Sequence, residues 1–443
     1  MKNYTQILLV FLFAIGSINA QQEKGIIGNN NWLHNWTDFN PSQSRYDEPT
    51  QILAGNITKD TKLTKRNTYL LLGNVFVTDS VTVTIEPGTV ILGDYQSKAT
   101  LTISKGAKLI ADGSETDPII FTSNRSLKRA GDWGGIIVLG DAPTNKFGNG
   151  SVASFYPDLD PSSYGSTNFG GSNIESDSGI LRYVRIEYAG KRIKNDDYFN
   201  GLLLAGVGNK TIVENIMVSY SGGNAFEVWG GDVKLEKMIS YRSSQNDYKF
   251  NYGTQCTIEN SLAVRSPYVS SSNGSRCLQI VSYNKKEEVD FTKKPTTVVA
   301  KNLTFVNDSE SLKSDIEKGL VKEAIYVGEN TSLEMDRSVV SGFNPAVILE
   351  DKININQKSL ERIKFVNMYF NNCNGNIFVE NNSNNEDLEN WYGNSAFFNV
   401  YSKSNNAETF IDLANNRKPD FRLRINKIIA TKDHLASEDL SND

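Results

Sequence analysis

The chain has 443 residues, a formal charge of −5, 39% hydrophobic residues, 34 glycines and only 11 prolines. That is globular composition with enough apolar material for a sizeable core, and its negative balance excludes the basic footprint that nucleic acid requires. Two histidines near the chain ends, His34 and His434, and three cysteines, Cys256, Cys277 and Cys373, leave little for a Ser-His-Asp or Cys-His mechanism or for a zinc site.

Lys2 precedes an apolar run from Ile7 to Ile15, followed by Gly16, Ser17 and Ile18-Asn19-Ala20. A basic start, a short apolar stretch and a small residue before the break describe a cleavable signal peptide over residues 1–20. The chain is therefore expected to be exported. No later run approaches the ~20 apolar residues of a membrane helix, so no span is expected. Residues 21–60 follow no repeat and are expected to cap the N-terminal end of the fold, with Trp32, Trp36 and Phe39 as packing residues.

From there the sequence repeats. Thr84-Ile85-Glu86-Pro87-Gly88-Thr89-Val90-Ile91 recurs 18 residues later as Thr102-Ile103-Ser104-Lys105-Gly106-Ala107-Lys108-Leu109. In mid-chain, Val213-Glu214-Asn215-Ile216 aligns at 22 residues with Leu235-Glu236-Lys237-Met238, and at 23 more with Ile258-Glu259-Asn260-Ser261. Asn224, Phe226, Val228 and Gly231 map by 22 onto Asn246, Tyr248, Phe250 and Gly253. A 22-residue unit of short alternating strands is one coil of a solenoid whose like residues stack about 4.8 Å apart. The spacing predicts Phe226 over Tyr248 and Val228 over Phe250 inside, an amide ladder from Asn224 to Asn246, and an exposed Glu227–Lys249 pair outside. The 49 asparagines fit many tight turns, since Asn tolerates left-handed backbone. The expected fold is all-β: a single-stranded right-handed parallel β-helix over residues 61–430, with a charged tail at 431–443. Residues 141–178 form an excursion with five aromatic residues, residues 309–324 carry the spacing of a short helix, 285–295 is a charged exposed loop and 383–392 a decorated turn. Cys256 and Cys277 lie about one repeat apart, as buried thiols or a disulfide.

Gly131-Asp132-Trp133-Gly134-Gly135-Ile136-Ile137-Val138-Leu139-Gly140, Ser178-Gly179-Ile180-Leu181-Arg182-Tyr183-Val184-Arg185-Ile186-Glu187-Tyr188-Ala189-Gly190 and Val218-Ser219-Tyr220-Ser221-Gly222 continue the pattern. Together with the Thr84–Ile91 stretch they resemble a family of Bacteroidota secreted and cell-surface right-handed parallel β-helix proteins, over roughly residues 69–264. The resemblance implies a cell-surface or outer-membrane setting, periplasm included, with surface proteins or a TonB-dependent receptor system as partners, and no reaction. The acid-rich turns common in that family read Gly222-Gly223-Asn224-Ala225-Phe226-Glu227 and Gln245-Asn246-Asp247-Tyr248-Lys249 here, with most acids replaced.

Candidate chemistry is sparse, and no residue is assigned a catalytic role. Trp133, Phe155, Tyr156, Tyr164, Trp229 and Tyr252 are candidates for stacking on a sugar or a protein partner. Asp158 and Asp160 in the excursion, and Asp196 and Asp197 in a Lys-rich turn, are the candidate ligands for calcium, the one cofactor considered. The expected function is binding, or a structural or accessory role at the surface, with the excursion as the binding surface or its cover. The alternative is a secreted polysaccharide lyase or glycoside hydrolase, which needs clustered carboxylates.

Overall fold

Three apolar stretches per repeat, each too short for a helix and alternating in twos, become three short strands joined by tight corners. The computed structural model describes residues 24–424 apart from 29, 196, 272, 273, 383 and 384; the signal-peptide segment, the 431–443 tail, His434 and Asp196 lie outside the described residues. A central coil passes through Phe226–Trp229, Asp232–Glu236 and Ile239–Tyr241, and the next through Tyr248–Asn251, Gln255–Glu259 and Leu262–Arg265. Each strand pairs in parallel with its counterpart one coil on. This yields three parallel sheets, the first, second and third in the order the chain visits them. The fold is the expected right-handed parallel β-helix. The third sheet runs through twelve strands, from Gln51–Ile57 to Val400–Ser402, a stack roughly 50 Å long at ~4.8 Å per coil.

The predicted register holds. Phe226 pairs with Tyr248 and Val228 with Phe250; all four are buried, and the two rings stack 5.4 Å apart at 7°. The amide ladder is longer than expected. Asn246 Nδ2 donates to Asn224 Oδ1 at 3.0 Å, and Asn224 Nδ2 donates to Asn200 Oδ1 at 3.0 Å. From Tyr183 onward the chain turns between the second and third sheets on one left-handed residue per coil. Tyr183, Asn215, Lys237, Asn260, Asn302, Arg337 and Asn367 occupy this corner with φ between 47° and 55°.

Several expectations are corrected. The helix begins at Gln51 rather than at residue 61. Residues 24–46 do not cap an end; they run lengthwise as a strap along the outer face of the third sheet. Lys24 Nζ donates to the carbonyls of Met368 and Phe398 in the last coils, while Tyr46 reaches Arg185 at 2.7 Å. In between, Asn260 accepts from Ile27 N at 2.8 Å and Asn302 Nδ2 donates to Gly25 O at 3.2 Å. Ile26, Leu33, Trp36 and Phe39 pack with Met217, Ile239, Leu262 and Val306, beside the hairpin of Phe410–Asp412 and Asp420–Leu423. Predicted helix 309–324 shortens to Leu312–Glu317, and within loop 285–295 Val289 is buried against Lys146. The turn at 383–392 contains helix Glu386–Tyr392, whose buried Leu388 and Tyr392 close the C-terminal end of the core. Cys256 pairs in the second sheet with Val233 and Val298, away from Cys277 at the start of the first, and all three cysteines are free and buried.

Glu227 is also corrected. It points outward but is 4% exposed, closed in by Asn200, Asn224 and Lys249. Lys249 Nζ lies 3.0 Å from its Oε1, while Asn200 and Asn224 donate to Oε2 at 2.8 and 3.0 Å. Burial pushes its carboxyl up, yet the Lys249 ammonium and these donors hold it below the ordinary value. A second buried pair sits where the third sheet turns into the first. Arg265 donates to Asp247 at 3.0 Å and to the carbonyls of Gln245 and Ser243, and both side chains are almost wholly buried. Burial pushes Asp247 up to about 6, with Arg265 opposing it.

Asn224→Leu should lower stability by about 1–3 kcal/mol, because Asn200, Asn246 and Glu227 each lose a buried partner; an unchanged denaturant midpoint would contradict the ladder. Arg265→Met should cost about 3–5 kcal/mol near neutral pH by leaving Asp247 buried and unpaired. With a folded value near 6 against an unfolded one near 3.9, the stability Asp247 contributes is full below about pH 4 and falls as pH rises through 6. The Arg265→Met penalty should therefore shrink between pH 7 and pH 5, since a neutral acid needs no counter-ion; equal penalties in urea melts at both pH values would refute this.

Candidate functional site

The three outer faces of the rod differ. The third is covered by the strap and the C-terminal hairpin from the coil of Arg185 onward. The second is bare, and its outward charges neutralise one another along the stack: Arg182 pairs with Asp112 and Glu214, and Lys234 lies 3.0 Å from both Glu236 and Glu259. The first is covered over its N-terminal half only.

That cover is the excursion. Val152, Tyr156 and Phe169 fold back onto Phe76, Ile137, Leu203 and Ala205, joined by Ile193 and Phe199 from the 192–199 turn. Four candidate aromatics are thus brought together, as packing. Phe155 meets Trp229 edge-on at 5.6 Å, Trp229 meets Tyr252 at 5.7 Å, and Tyr156 lies 5.8 Å from Phe199. Tyr156 and Tyr252 are buried and Phe155 and Trp229 half-buried. Tyr156 shares a 2.6 Å hydroxyl bond with Thr102. Lys146 Nζ occupies the Tyr252 ring face at 4.0 Å from its centroid. Trp133 is corrected outright: it is fully buried, stacked on Phe121, with its indole N–H donated to Glu187 O at 2.8 Å. Its ring fills the space beside Gly93, where any Cβ would lie 2.5 Å from ring atoms. Tyr164 alone of the six is exposed, at 52%.

The candidate metal ligands do not converge. Asp158 is exposed, and Asp160 accepts from Ser162 N and Oγ at 2.8 and 2.6 Å, which lowers its pKa. Asp197 is exposed on the short antiparallel pair Arg192–Lys194/Asp197–Tyr198, and Asp196 lies outside the described residues. Among the described residues no three His, Cys, Asp or Glu side chains gather as a metal would need.

The uncovered half of the first sheet carries a constellation that the sequence reading missed. Lys249, Gln279, Tyr326, Ile348 and Phe378 form one outward row on successive coils. The last three are half-buried. Arg276 and helix Leu312–Glu317 belong to segments entering this part of the sheet; 281–295 and 350–362 leave it on the other side. Arg276 lies over the Tyr326 ring at 4.4 Å and pairs with Glu323. On the leaving side Glu350 follows strand Val347–Leu349, and Glu380 follows Ile377–Val379 one coil later. The Tyr326 hydroxyl donates to Glu380 at 3.0 Å; Glu350 accepts from Glu329 N at 2.6 Å and from Lys352 at 2.8 Å; Tyr283 donates to Glu329. Burial and these carboxylates push the phenols of Tyr326 and Tyr283 well up, keeping them neutral donors. Beside the last coil a cavity of about 280 Å³ is lined by Asn376, Ile377, Leu388, Tyr392 and Tyr401. The row thus runs from polar Lys249 and Gln279 to apolar Ile348 and Phe378, with Tyr326 between them and carboxylates and the Arg276 guanidinium beside it. Such a surface can stack on rings and exchange hydrogen bonds with hydroxyls.

Compared with known protein families, residues 55–412 match the Pectate-lyase like beta helix domain. The chain belongs to that family. No curated protein and no solved structure matches it. Among the described residues no helix is long and apolar enough to cross a membrane.

Replacing residues 148–170 with a short Gly-Ser bridge should uncover Ile137, Leu203 and Trp229, and so lower the melting temperature and raise binding of a hydrophobic dye. An unchanged melt without dye binding would show that the excursion is no cover.

Proposed function

We propose that this chain is an exported surface or outer-membrane-associated protein that binds an extended glycan along the open half of the first sheet. The carrying observation is the row Gln279, Tyr326, Ile348 and Phe378, left bare where the excursion ends and bordered by side chains that already donate to or accept from one another. A polymer laid along the rod would meet one such side chain per ~4.8 Å coil. The signal-like first twenty residues and the resemblance to Bacteroidota surface β-helix proteins support the setting, and a TonB-dependent receptor system is the partner that resemblance favours. Because the self-satisfied carboxylates need no catalytic duty, binding is the reading preferred to cleavage. The second reading, a glycan-cleaving enzyme, is favoured by one feature: Glu350 and Glu380 border the same row on adjacent coils, and two carboxylates are what glycoside hydrolysis requires.

Affinity electrophoresis against a panel of polysaccharides, with and without calcium, tests both. Tyr326→Ala and Phe378→Ala should each weaken retention about tenfold or more, as loss of a stacked ring implies, while Tyr164→Ala should leave it unchanged. Retention by no polysaccharide, or indifference to both substitutions, would overturn the site. Release of oligosaccharides that stops in Glu380→Gln would establish the enzymatic reading instead.

A further inference from the structure

The two ends of the rod are unlike. At the C-terminal end helix Glu386–Tyr392 seats Leu388 and Tyr392 in the core, and the Tyr392 hydroxyl donates to Ile363 O at 2.7 Å, so the last coils are closed. The N-terminal end has no such cover among the described residues. Strand Gln51–Ile57 pairs only with Thr68–Val77, and Thr61–Leu63 only with Thr82–Ile85. Among the described residues no strand pairs with their other edges. Folded proteins ordinarily blunt such edges with charge, proline or a covering segment. Gln51-Ile52-Leu53-Ala54-Gly55-Asn56-Ile57 contains neither charge nor proline. Leu53 and Ile57 are only partly buried against the core, Ile52 is 64% exposed and Leu72, beside Ala54 in the next coil, 39%. An unpaired edge and an apolar patch therefore coincide.

We propose that the protein pairs end to end with a second copy of itself through this first coil, edge strand against edge strand about a two-fold axis. Three features select a second copy. Both points where the described chain begins and stops, Lys24 and Arg424, lie toward the other end, beside Met368 and Phe410, so any cover from this chain has to travel back along the rod. The first coils carry charges of both signs that are already paired, Lys62 with Glu86 at 2.8 Å and Lys65 with Asp117, so two identical ends bring no unbalanced charge against each other. A two-fold joint at the open end uses the same surface on both copies, and the helix at the other end stops further addition. The assembly is a closed dimer of doubled length.

Sedimentation equilibrium of the purified protein up to about 100 µM, with small-angle scattering, tests this. The expected mass is twice that of the monomer, with a maximum dimension on the order of 100 Å. Ile52→Lys combined with Ala54→Lys should raise the dissociation constant at least tenfold while leaving the β-sheet circular dichroism unchanged. Should that variant unfold, Ile52→Lys alone carries the same test. A monomer throughout the range, or a dimer indifferent to these substitutions, overturns the proposal. So does a monomer that dimerises only once residues 425–443 are removed, since the edge would then be covered by the chain's own tail.

Discussion

One backbone constraint governs the rest: from Tyr183 onward each coil turns from its second to its third sheet on a single residue in the left-handed region. That conformation costs an ordinary L-residue on the order of 1 kcal/mol, and a stack repeats the cost at every level. Four of the seven corner positions are Asn, which bears it with least strain. At Asn260 and Asn302 the corner side chain also bonds the backbone of the strap. The turn thereby fixes the coil and supplies the row of amides on which another segment docks. Register follows from the corners, since a coil that starts each third-sheet strand at the same point stacks Phe226 on Tyr248 without further instruction.

Outward residues of a solenoid need not be exposed, and this decides where a ligand could sit. The same alternation that sends Glu227 out of the first sheet leaves it buried, with Lys249 and two amides as partners. Four coils further on the same row reaches Ile348, which is half-buried. Strap, hairpin and excursion together cover parts of two of the three faces, and the candidate binding row lies where that cover stops.

The coil interior was legible because its period is constant in mid-chain: Phe226, Val228 and Asn224 each find their partner 22 residues on. The strap was not, since its partners lie between 80 and 394 residues away and leave no local pattern; Trp36 and Phe39 were recognised as packing residues, but not what they pack against. The candidate row was half legible. Tyr326 and Ile348 keep the 22-residue offset, whereas inserted loops stretch the step before and the step after to 47 and 30 residues. Trp133 was misjudged because an aromatic beside two glycines reads equally well as a platform or as a plug, and only the missing Cβ at Gly93 distinguishes them.

The strap also sets an order of assembly. Coils stack on their immediate predecessors and can form as soon as a repeat is complete. Residues 24–27, among the first made, must wait for Asn260, Asn302 and Arg337 before they have anything to bond. Until then Ile26 and the outward apolar residues of the third sheet, Ile239 and Leu262 among them, remain wet together. Docking of the strap is thus a late, long-range closure, slow for its loop length. It ties the first-made part of the chain to the last, turning a stack that would otherwise fray coil by coil into one that opens only when the tie is released.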